Sequence, residues 1–505
     1  MTDATDATDT RNPDSGGGPV IARPRTGESD PRAAAEGDPR APRRRLAALL
    51  DRGPVLPLRT PGGHSDGPGL VATAVRGRID GRPVVAFCTD GSRRGGALGP
   101  ADCDAIVAAI DTAVRDGCPV VGLWHSGGAK LSDGIEALEG FGRVFSAIVR
   151  ASGRVPQISV VVGPAAGGAA YGPALTDVII MAPGGRLFVT GPDVVRKVTG
   201  EHIDMTGLGG PLAHGRKSGV AHIVAASEAD AYGRARRVAA LLSHPGLADQ
   251  ERAGSGVDPG SLLPAAARRA YDMRPVIQAI VDHETGGPVF EEFQRDWAAN
   301  IIVGLARLGG RTVGVVANNP IRKAGCLDSL SAEKGARFVR MCDALGLPLV
   351  VLVDVPGYLP GVRQEWDGVI RRGAKLVHAF AAATVPRVTL VLRKSHGGAY
   401  IAMNSRSLGA DTVLAWPQAD VAVMGASAAV EILHRSALAA AGESERPALL
   451  ASLVEHQEAE SGGVRRGIAS GAVDAIIEPA DTRARLIAAV AATPAARGQH
   501  DNIPL

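Results

Sequence analysis

Two stretches of this 505-residue chain can be laid on each other at one spacing, and this repeat constrains the fold more than any other feature. VPQISVVVGPAAGGAAY resembles VPRVTLVLRKSHGGAY. In each copy the first glycine of the Gly-Gly pair lies eleven positions after the proline that follows the first valine, Pro156 to Gly167 and Pro386 to Gly397. Nearly the same offset carries CPVVGLWHSGG onto LPLVVLVDVPG. Two matches at one offset predict a duplicated domain.

Both halves alternate short apolar runs with alanine-rich stretches, which is the pattern of α/β architecture. VVAFC and ISVVVG in the first half, and VGVVAN and RVTLVLR in the second, are typical of buried strands. Aromatic residues make up only 3% of the chain, so Ala, Val, Leu and Ile must build the core. A chain of this length exceeds one ordinary core. We therefore predict an α/β protein with two tandem, duplicated domains.

Composition indicates where these domains begin and end. The first 45 residues are rich in Gly, Pro and Arg and lack apolar periodicity, which predicts a disordered tail over residues 1–45. A Gly- and Pro-rich stretch at 243–264 is the best linker candidate, and we place the linker itself at 251–262. The predicted N-terminal domain is then 46–250 and the C-terminal domain 263–505.

Charge and cysteine content exclude several classes of protein. Lys and Arg total 55 against 52 Asp and Glu, which argues against a nucleic-acid partner or a membrane surface. No apolar run is long enough for a membrane span and no signal pattern stands at the N-terminus, so a cytoplasmic protein is expected. The five cysteines include no C-x-x-C pair, and we expect neither disulfides nor a metal site.

A glycine pair, Gly167–Gly168, stands where an apparent strand runs into an apparent helix, with no reactive side chain beside it. The first N–H groups of a helix lack internal partners and can hold an anion. Phosphate is one candidate, but no phosphate-loop motif occurs at this point. A second is the oxyanion of a reacting carbonyl group. The alternative is that the glycines only permit close packing.

Similar features occur twice in the second half. The repeat places a second pair at Gly397–Gly398, which weakens the packing explanation. A third strand end meets an alanine-rich helix at Gly425–Ala426.

Long blocks of the chain resemble the carboxyltransferase (beta) subunit of biotin-dependent acyl-CoA carboxylases, of the propionyl-CoA carboxylase type. The resemblance spans residues 45 to 505. In the first half it is carried by RGRIDGRPVVAFCTD, SGGAKLSDGIEAL, PQISVVVGPAAGGAAYGPALTD, FVTGPDVV and SGVAH. In the second half it is carried by AGCLD, KGARFVRMCDALGLPLVVLVDVPGYLPG, GAKLVHAFAAATVPRVTLVLRK, HGGAY, LAWPQADVAVMGA and HDNIPL.

This resemblance implies two crotonase-like domains, with acyl-CoA on the first and carboxybiotin on the second. It implies a homo-oligomer, typically a hexamer in this family, with sites between neighbouring subunits. The carboxyl group would pass from carboxybiotin to the α carbon of a short-chain acyl-CoA, propionyl-CoA or acetyl-CoA. None of the seven Met residues precedes a Lys, so biotin is expected on a biotinylated alpha subunit that carries the biotin carboxylase and the carrier.

The family's functional positions carry over to named residues of this sequence. Gly167 and Gly168 match the first oxyanion hole of the family, which holds the thioester enolate. Gly425 and Ala426 match the second oxyanion hole, which holds the biotin ureido carbonyl. The predicted substrate-binding residues are Gly127, Gly128, Ala129, Lys130, Gly397, Gly398 and Ala428.

Three positions depart from the family's pattern. His125 and Lys130 stand where Asp and Arg are usual, and Ala428 stands where Gly is common. His125 at a strand end is interpreted as structural rather than as a general base. Two alternatives stay open: a decarboxylase or transcarboxylase running the same half-reaction, and a non-catalytic assembly subunit.

Overall fold

A computed structural model describes residues 38–60, 63–64, 69–254, 257–266, 269–461 and 463–503. Most of the predicted tail, residues 1–37, lies outside the described residues. Helix α1, Pro42–Leu49, begins shortly before the predicted end of that tail and starts with a proline, which suits the first helical turn.

The first half folds around one sheet of eight strands. These are β1 Leu56–Pro57, β4 Ala72–Ile79, β5 Arg82–Thr89, β6 Val120–Ser126, β7 Gln157–Ala166, β8 Val178–Met181, β9 Arg186–Phe188 and β10 Ile223–Val224. Their order is β1-β4-β5-β6-β7-β8-β10, with β9 also paired to β7. From β5 onwards the pairs are parallel. Strands β2 Arg59–Thr60 and β3 Gly63–His64 form a separate hairpin.

The second half repeats this sheet strand for strand. Its members are β13 Phe290–Phe293, β14 Ile301–Leu308, β15 Arg311–Asn318, β16 Leu349–Val355, β17 Arg387–His396, β18 Thr412–Ala415, β19 Asp420–Ala422 and β20 Ala475–Ile476. The order is β13-β14-β15-β16-β17-β18-β20, with β19 paired to β17. Strands β11 His283–Glu284 and β12 Gly287–Pro288 form a hairpin.

Helices cover both sheets. After α1, those of the first half are α2 Pro100–Asp116, α3 Gly134–Ala151, α4 Gly168–Ala174, α5 Pro192–Thr199, α6 Met205–Gly209, α7 Pro211–Ala213 and α8 Glu228–Ser243. Those of the second half are α9 Arg274–Ile280, α10 Ser329–Leu345, α11 Val362–Trp366, α12 Val369–Ala382, α13 Gly397–Ala402, α14 Ala426–Leu433, α15 Arg435–Ala440, α16 Arg446–Ser461, α17 Val464–Ala469 and α18 Thr482–Ala492.

The repeat extends to irregular details. The β6–β7 pairing shifts register after Trp124, and the β16–β17 pairing shifts after Val353. One isolated bridge joins Leu98 to Ala129, and its counterpart joins Leu327 to Tyr358. The prediction of a duplicated α/β architecture is confirmed. The domain boundaries and the linker stay predictions, and single-turn 3₁₀ helices lie at Gln250–Ala253 and Pro259–Leu262.

One hydrophobic core runs through both halves. It joins Val160 and Ile180 of the first sheet to Val303 and Val316 of the second, and side chains of α8 are part of it. The two sheets are therefore stabilised together.

A buried lysine fixes the segment between β13 and β14, which contacts the first half. Lys334 of α10 is 2% exposed, and its Nζ donates to the carbonyl oxygens of Gln294, Trp297 and Ile301 at 2.9, 3.0 and 2.9 Å. Burial lowers the pKa of Lys334 to about 7, whereas the three carbonyls favour the charged ammonium. The held loop reaches the first half, where Gln294 N donates to His222 O at 2.6 Å.

The C-terminal segment makes a second junction. Asn502 N donates to Ser152 Oγ at 2.9 Å, and Asn502 Nδ2 donates to Asp177 Oδ1 at 2.8 Å, both in the first half. His500 Nε2 lies 2.8 Å from Asp343 Oδ2 at the end of α10. The terminal residues thus connect the helix ends of the two halves.

No helix in the described part of the chain combines the length and the apolar character needed to cross a bilayer.

We predict that Lys334→Met lowers the free energy of unfolding by about 3 kcal/mol or more, because three buried carbonyls lose their donor. Lys375→Met is the matched control, since Lys375 pairs only with Glu333 on the surface, at 2.6 Å, where such pairs contribute about 0–1 kcal/mol. Denaturant unfolding of both variants measures the difference. Equal stability of the two would contradict this role of Lys334.

Candidate active site

The first glycine pair lies where β7 ends and α4 begins. Gly167 has φ +57°, a left-handed conformation that favours glycine, and its N–H donates to Phe188 O at 3.1 Å. Among the described residues, Gly168 N and Ala169 N have no acceptor. The free donors of the first hole are therefore Gly168 and Ala169, whereas the N–H of Gly167 belongs to the β7–β9 pairing.

Packing also constrains Gly168. A Cβ added there would lie 2.9 Å from the ring of Phe141 on α3, which is closer than ordinary contact. The packing explanation and the oxyanion explanation therefore both apply at this position.

The Gly127–Lys130 loop lies beside this hole. A Cβ at Gly128 would lie 2.9 Å from Ala166 O, so the loop approaches the end of β7 closely. Gly127 N donates to Gly95 O at 2.8 Å, and Lys130 N donates to Leu98 O at 2.9 Å. Backbone hydrogen bonds therefore set the position of the loop.

A cavity of about 480 Å³ opens on the outer side of this loop. Its lining residues are Arg94, Ala97, Gly127, Ala129, Lys130, Leu131 and Ser132. Lys130 Nζ lies 2.6 and 2.9 Å from the carboxylate oxygens of Asp133, and this lowers the pKa of Asp133. Arg94 is exposed and forms no ion pair within the described chain. Arg94 is thus a cationic residue of this cavity that was not among the substrate-binding residues predicted from the sequence.

The second half brings its two predicted sites together. Gly397 has φ +60°, and a Cβ there would lie 3.1 Å from Val423 O. A Cβ at Gly425 would lie 3.8 Å from His396 Cε1, at the end of β17. In the described structure, Gly425 N and Ala426 N have no acceptor at the start of α14. Ala428 is exposed, two residues further along the same helix.

The repeat shows that this helix start differs between the halves. Three residues after β9 and β19 stand Gly191 and Gly425, and each precedes a helix of eight residues. Pro192 follows in the first half and Ala426 in the second. Proline has no N–H, so only the second half presents this backbone donor.

The two glycine pairs also differ in the space around them. Within the described chain, no heavy atom lies within 4 Å of the place where a Cβ at Gly398 would stand, and Gly398 is exposed. Packing against this chain therefore does not require glycine at Gly398, and the space beside the second hole is open to a ligand.

Histidine side chains near the holes are held by hydrogen bonds. His125 Nδ1 lies 3.2 Å from Arg45 Nη1, and burial, assisted by the charges of Arg45 and Arg40, lowers the pKa of His125 to about 4. Since arginine only donates, Nδ1 must accept. His396 Nε2 lies 2.8 Å from Asp420 Oδ2. Each ring therefore has one nitrogen engaged by a side chain of this chain.

The cysteine thiols are not activated as nucleophiles, because burial disfavours the thiolate. Burial raises the pKa of all five cysteines, Cys88, Cys103, Cys118, Cys326 and Cys342. Within the described residues no three His, Cys, Asp or Glu side chains gather as metal ligands would. The chemistry available at both holes is hydrogen-bond donation from the backbone.

Both halves thus offer free backbone N–H groups at a helix start among the described residues, and such groups can donate hydrogen bonds to an oxyanion. Residues 59–500 match the carboxyl transferase domain family. The chain therefore belongs to this family.

Two relatives and one solved structure give the resemblance in detail. The beta6 subunit of a biotin-dependent acetyl-/propionyl-coenzyme A carboxylase from Mycobacterium tuberculosis is 59% identical over 469 residues, covering 93% of this chain and 97% of the relative. The propionyl-CoA carboxylase beta chain of Rhodococcus erythropolis is 56% identical with the same coverage. The 12S transcarboxylase hexamer, solved with methylmalonyl-coenzyme A bound, superposes with a TM-score of 0.84 at 36% identity, covering 94% of this chain and 96% of that one. The predicted family and the crotonase-like fold are confirmed.

We predict that Gly398→Ala leaves stability within about 1 kcal/mol of the parent, because alanine is the better helix former and has space. Carboxyl transfer should fall at least roughly tenfold, because the methyl group enters the ligand's space. Gly168→Ala should lower both the stability and the rate of carboxyl transfer, because Phe141 must move at a cost of about 1–3 kcal/mol. Thermal melting and a transfer assay separate the two. Full activity of Gly398→Ala would mean that the open space is not used.

Proposed function

We propose that this chain is the carboxyltransferase subunit of a biotin-dependent acyl-CoA carboxylase. It would move a carboxyl group from carboxybiotin on a partner subunit to the α carbon of a short-chain acyl-CoA, with propionyl-CoA and acetyl-CoA as the favoured substrates. The 59% identity to an acetyl-/propionyl-CoA carboxylase subunit over almost the whole chain supports this substrate class.

The observation that carries the proposal is a pair of free backbone donor sets at two helix starts. Gly168 and Ala169 present one set, and Gly425 and Ala426 present the other. Donors alone suffice if the base arrives with the second substrate. Carboxybiotin, when bound, supplies both the carboxyl group and the nitrogen that accepts the α-proton.

The first set would stabilise the negative charge that develops on the thioester oxygen. Two N–H groups held by α4 need no reorganisation during the reaction, and one such donor typically contributes about 10²–10³ in rate. The second set would donate to the ureido oxygen of the carrier's biotin. Gly398 would leave room for that ring, because within the described chain no heavy atom lies within 4 Å of the place where its Cβ would stand.

The cavity beside Lys130 would hold part of the coenzyme A moiety. Lys130 shares its charge with Asp133, so the exposed Arg94 is the better candidate for a phosphate contact. Ala428 is exposed two residues beyond Ala426, and its role in substrate binding stays a prediction.

Leu131, Trp366 and Val423 are 95%, 84% and 82% exposed, and Leu131 lines the cavity beside Lys130. Large exposed apolar side chains are often covered by another protein chain, which supports oligomerisation. We propose a homo-oligomer, with six subunits as in the related 12S transcarboxylase.

The alternatives differ in direction and in partner. A decarboxylase or transcarboxylase would use the same two holes, and the structural neighbour is a transcarboxylase. The higher identity to carboxylase subunits favours the carboxylase. A non-catalytic assembly subunit is disfavoured by the free donors at both holes.

We predict that the purified chain with ATP, bicarbonate and propionyl-CoA forms no carboxylated product, because biotin and its carboxylation belong to the partner. Adding the biotinylated partner isolated from the native extract should restore product formation. Isotope-labelled bicarbonate measures both reactions. ATP-dependent carboxylation by the chain alone would contradict the assignment, and carboxyl transfer without ATP would identify the transcarboxylase alternative.

A further prediction concerns Ala426→Pro, which removes one backbone donor. Turnover should fall about 10²–10³-fold, or roughly 3–4 kcal/mol of transition-state stabilisation. Pro192 at the corresponding helix start of the first half indicates that this turn accommodates proline. Cys326→Ala is the control and should lose less than about tenfold. Near-normal turnover of a correctly assembled Ala426→Pro enzyme would contradict the backbone mechanism.

A further inference from the structure

A polar cluster connects helix α1 to the part of the first half that carries the Gly127–Lys130 loop. Arg45 of α1 is 4% exposed, and its Nε donates to Glu228 Oε1 at 3.1 Å. Tyr232 OH donates to the same oxygen at 2.5 Å, and both Glu228 and Tyr232 belong to α8. The other arm of the guanidinium reaches His125 Nδ1 at 3.2 Å. Arg45 therefore holds α1, α8 and the end of β6 together.

The His125 ring occupies a narrow slot between two glycines. A Cβ at Gly91 or at Gly163 would lie 2.3 Å from ring atoms of His125. The main chain is fixed as well, because His125 N donates to Thr89 Oγ1 at 2.7 Å. A Cβ at Gly96 would lie 1.9 Å from His125 O. The ring and backbone of His125 are thus held on all these sides.

His125 is also the residue from which the substrate loop begins. Gly127 and Gly128 follow after Ser126, whose Oγ accepts from Gly128 N at 3.1 Å. Gly96 packs closely against His125 O, and Arg94 of the same turn lines the cavity beside this loop. A shift of His125 would therefore move both walls of the cavity beside Lys130.

The second half carries the same arrangement with different side chains. Asp354 occupies the position that corresponds to His125, and its backbone N–H likewise donates to a side chain, Asn318 Oδ1, at 3.3 Å. Tyr271, from the segment before the second sheet, donates to Asp354 Oδ2 at 2.9 Å. In each half a residue that precedes the sheet is hydrogen-bonded to a residue near the end of one parallel strand, β6 in the first half and β16 in the second.

We infer that Arg45 and His125 form a positioning latch that sets the acyl-CoA half-site, so that the N-terminal helix controls acyl-CoA affinity. The inference rests on the proposed function, because it takes the Gly127–Lys130 loop as the acyl-CoA site. Neither side chain takes part in the chemical step. The latch acts on binding and leaves turnover at saturating substrate nearly unchanged.

Binding of propionyl-CoA to the full chain, measured by calorimetry without any biotinylated partner, tests the latch. We expect Arg45→Met and His125→Ala each to raise Kd about tenfold. Arg44→Met, on the exposed face of the same helix, should change Kd less than about twofold. His125→Asn, which keeps a hydrogen-bond acceptor near the Nδ1 position, should stay within about threefold of the parent.

The double variant Arg45→Met/His125→Ala separates a latch from two independent structural effects. Coupled residues give a Kd no more than about twofold above the weaker-binding single variant, whereas independent effects multiply to about a hundredfold. Melting temperature and oligomer mass identify variants that fail to fold, and Arg45→Lys then replaces Arg45→Met. In the reconstituted complex, kcat should stay within about threefold while KM for propionyl-CoA rises.

The outcomes distinguish this inference from the proposed function. If the parent chain does not bind propionyl-CoA, the proposed function fails and the latch fails with it. If the parent binds but the single variants bind equally well, or the double variant is multiplicative, only the latch is overturned.

Discussion

The ammonium of Lys334 is the interaction on which the relation of the two halves depends. Its three donors meet three carbonyl oxygens of the loop before β14, and this loop carries Gln294 and Trp297 onto the first half. A charged group in a dry interior is tolerated only where every proton has an acceptor. The loop geometry and the lysine therefore depend on each other, and Phe293 and Ile301, at the two ends of this segment, belong to the common core.

The two halves have the same arrangement of strands and helices, but they differ in the backbone N–H groups that their helix starts offer. Both sheets end their central strand in a left-handed glycine, which turns the chain into a short helix and exposes its first N–H groups. The neighbouring helix start then differs by one residue, Pro192 against Ala426. A single N–H is thus present in one half and absent from the other, which suits two different carbonyl substrates.

The substrate loop of the first half is set by contacts from distant parts of the chain. Arg45, Glu228 and His125 meet although 183 and 80 positions separate Arg45 from the other two. Burial lowers the pKa of His125, and its Nδ1 accepts a hydrogen bond from Arg45. His125, which departs from the family's pattern, is therefore held in position by a residue distant in sequence.

The sequence alone determined the duplicated α/β fold, because strand periodicity and a constant repeat offset are local patterns that survive without a structure. It also located Gly167–Gly168, Gly397–Gly398 and Gly425–Ala426 at strand-to-helix turns, and the family resemblance supplied their roles. The tertiary structure decided which N–H groups are free. Gly167 loses its donor to Phe188, a residue of a strand that pairs with β7 only after folding, and Gly168 N and Ala169 N stay available. It likewise decided that Lys130 is paired, that Gly398 faces open space and that His125 meets Arg45. These outcomes depend on distances between residues far apart in sequence, and no local pattern encodes such distances.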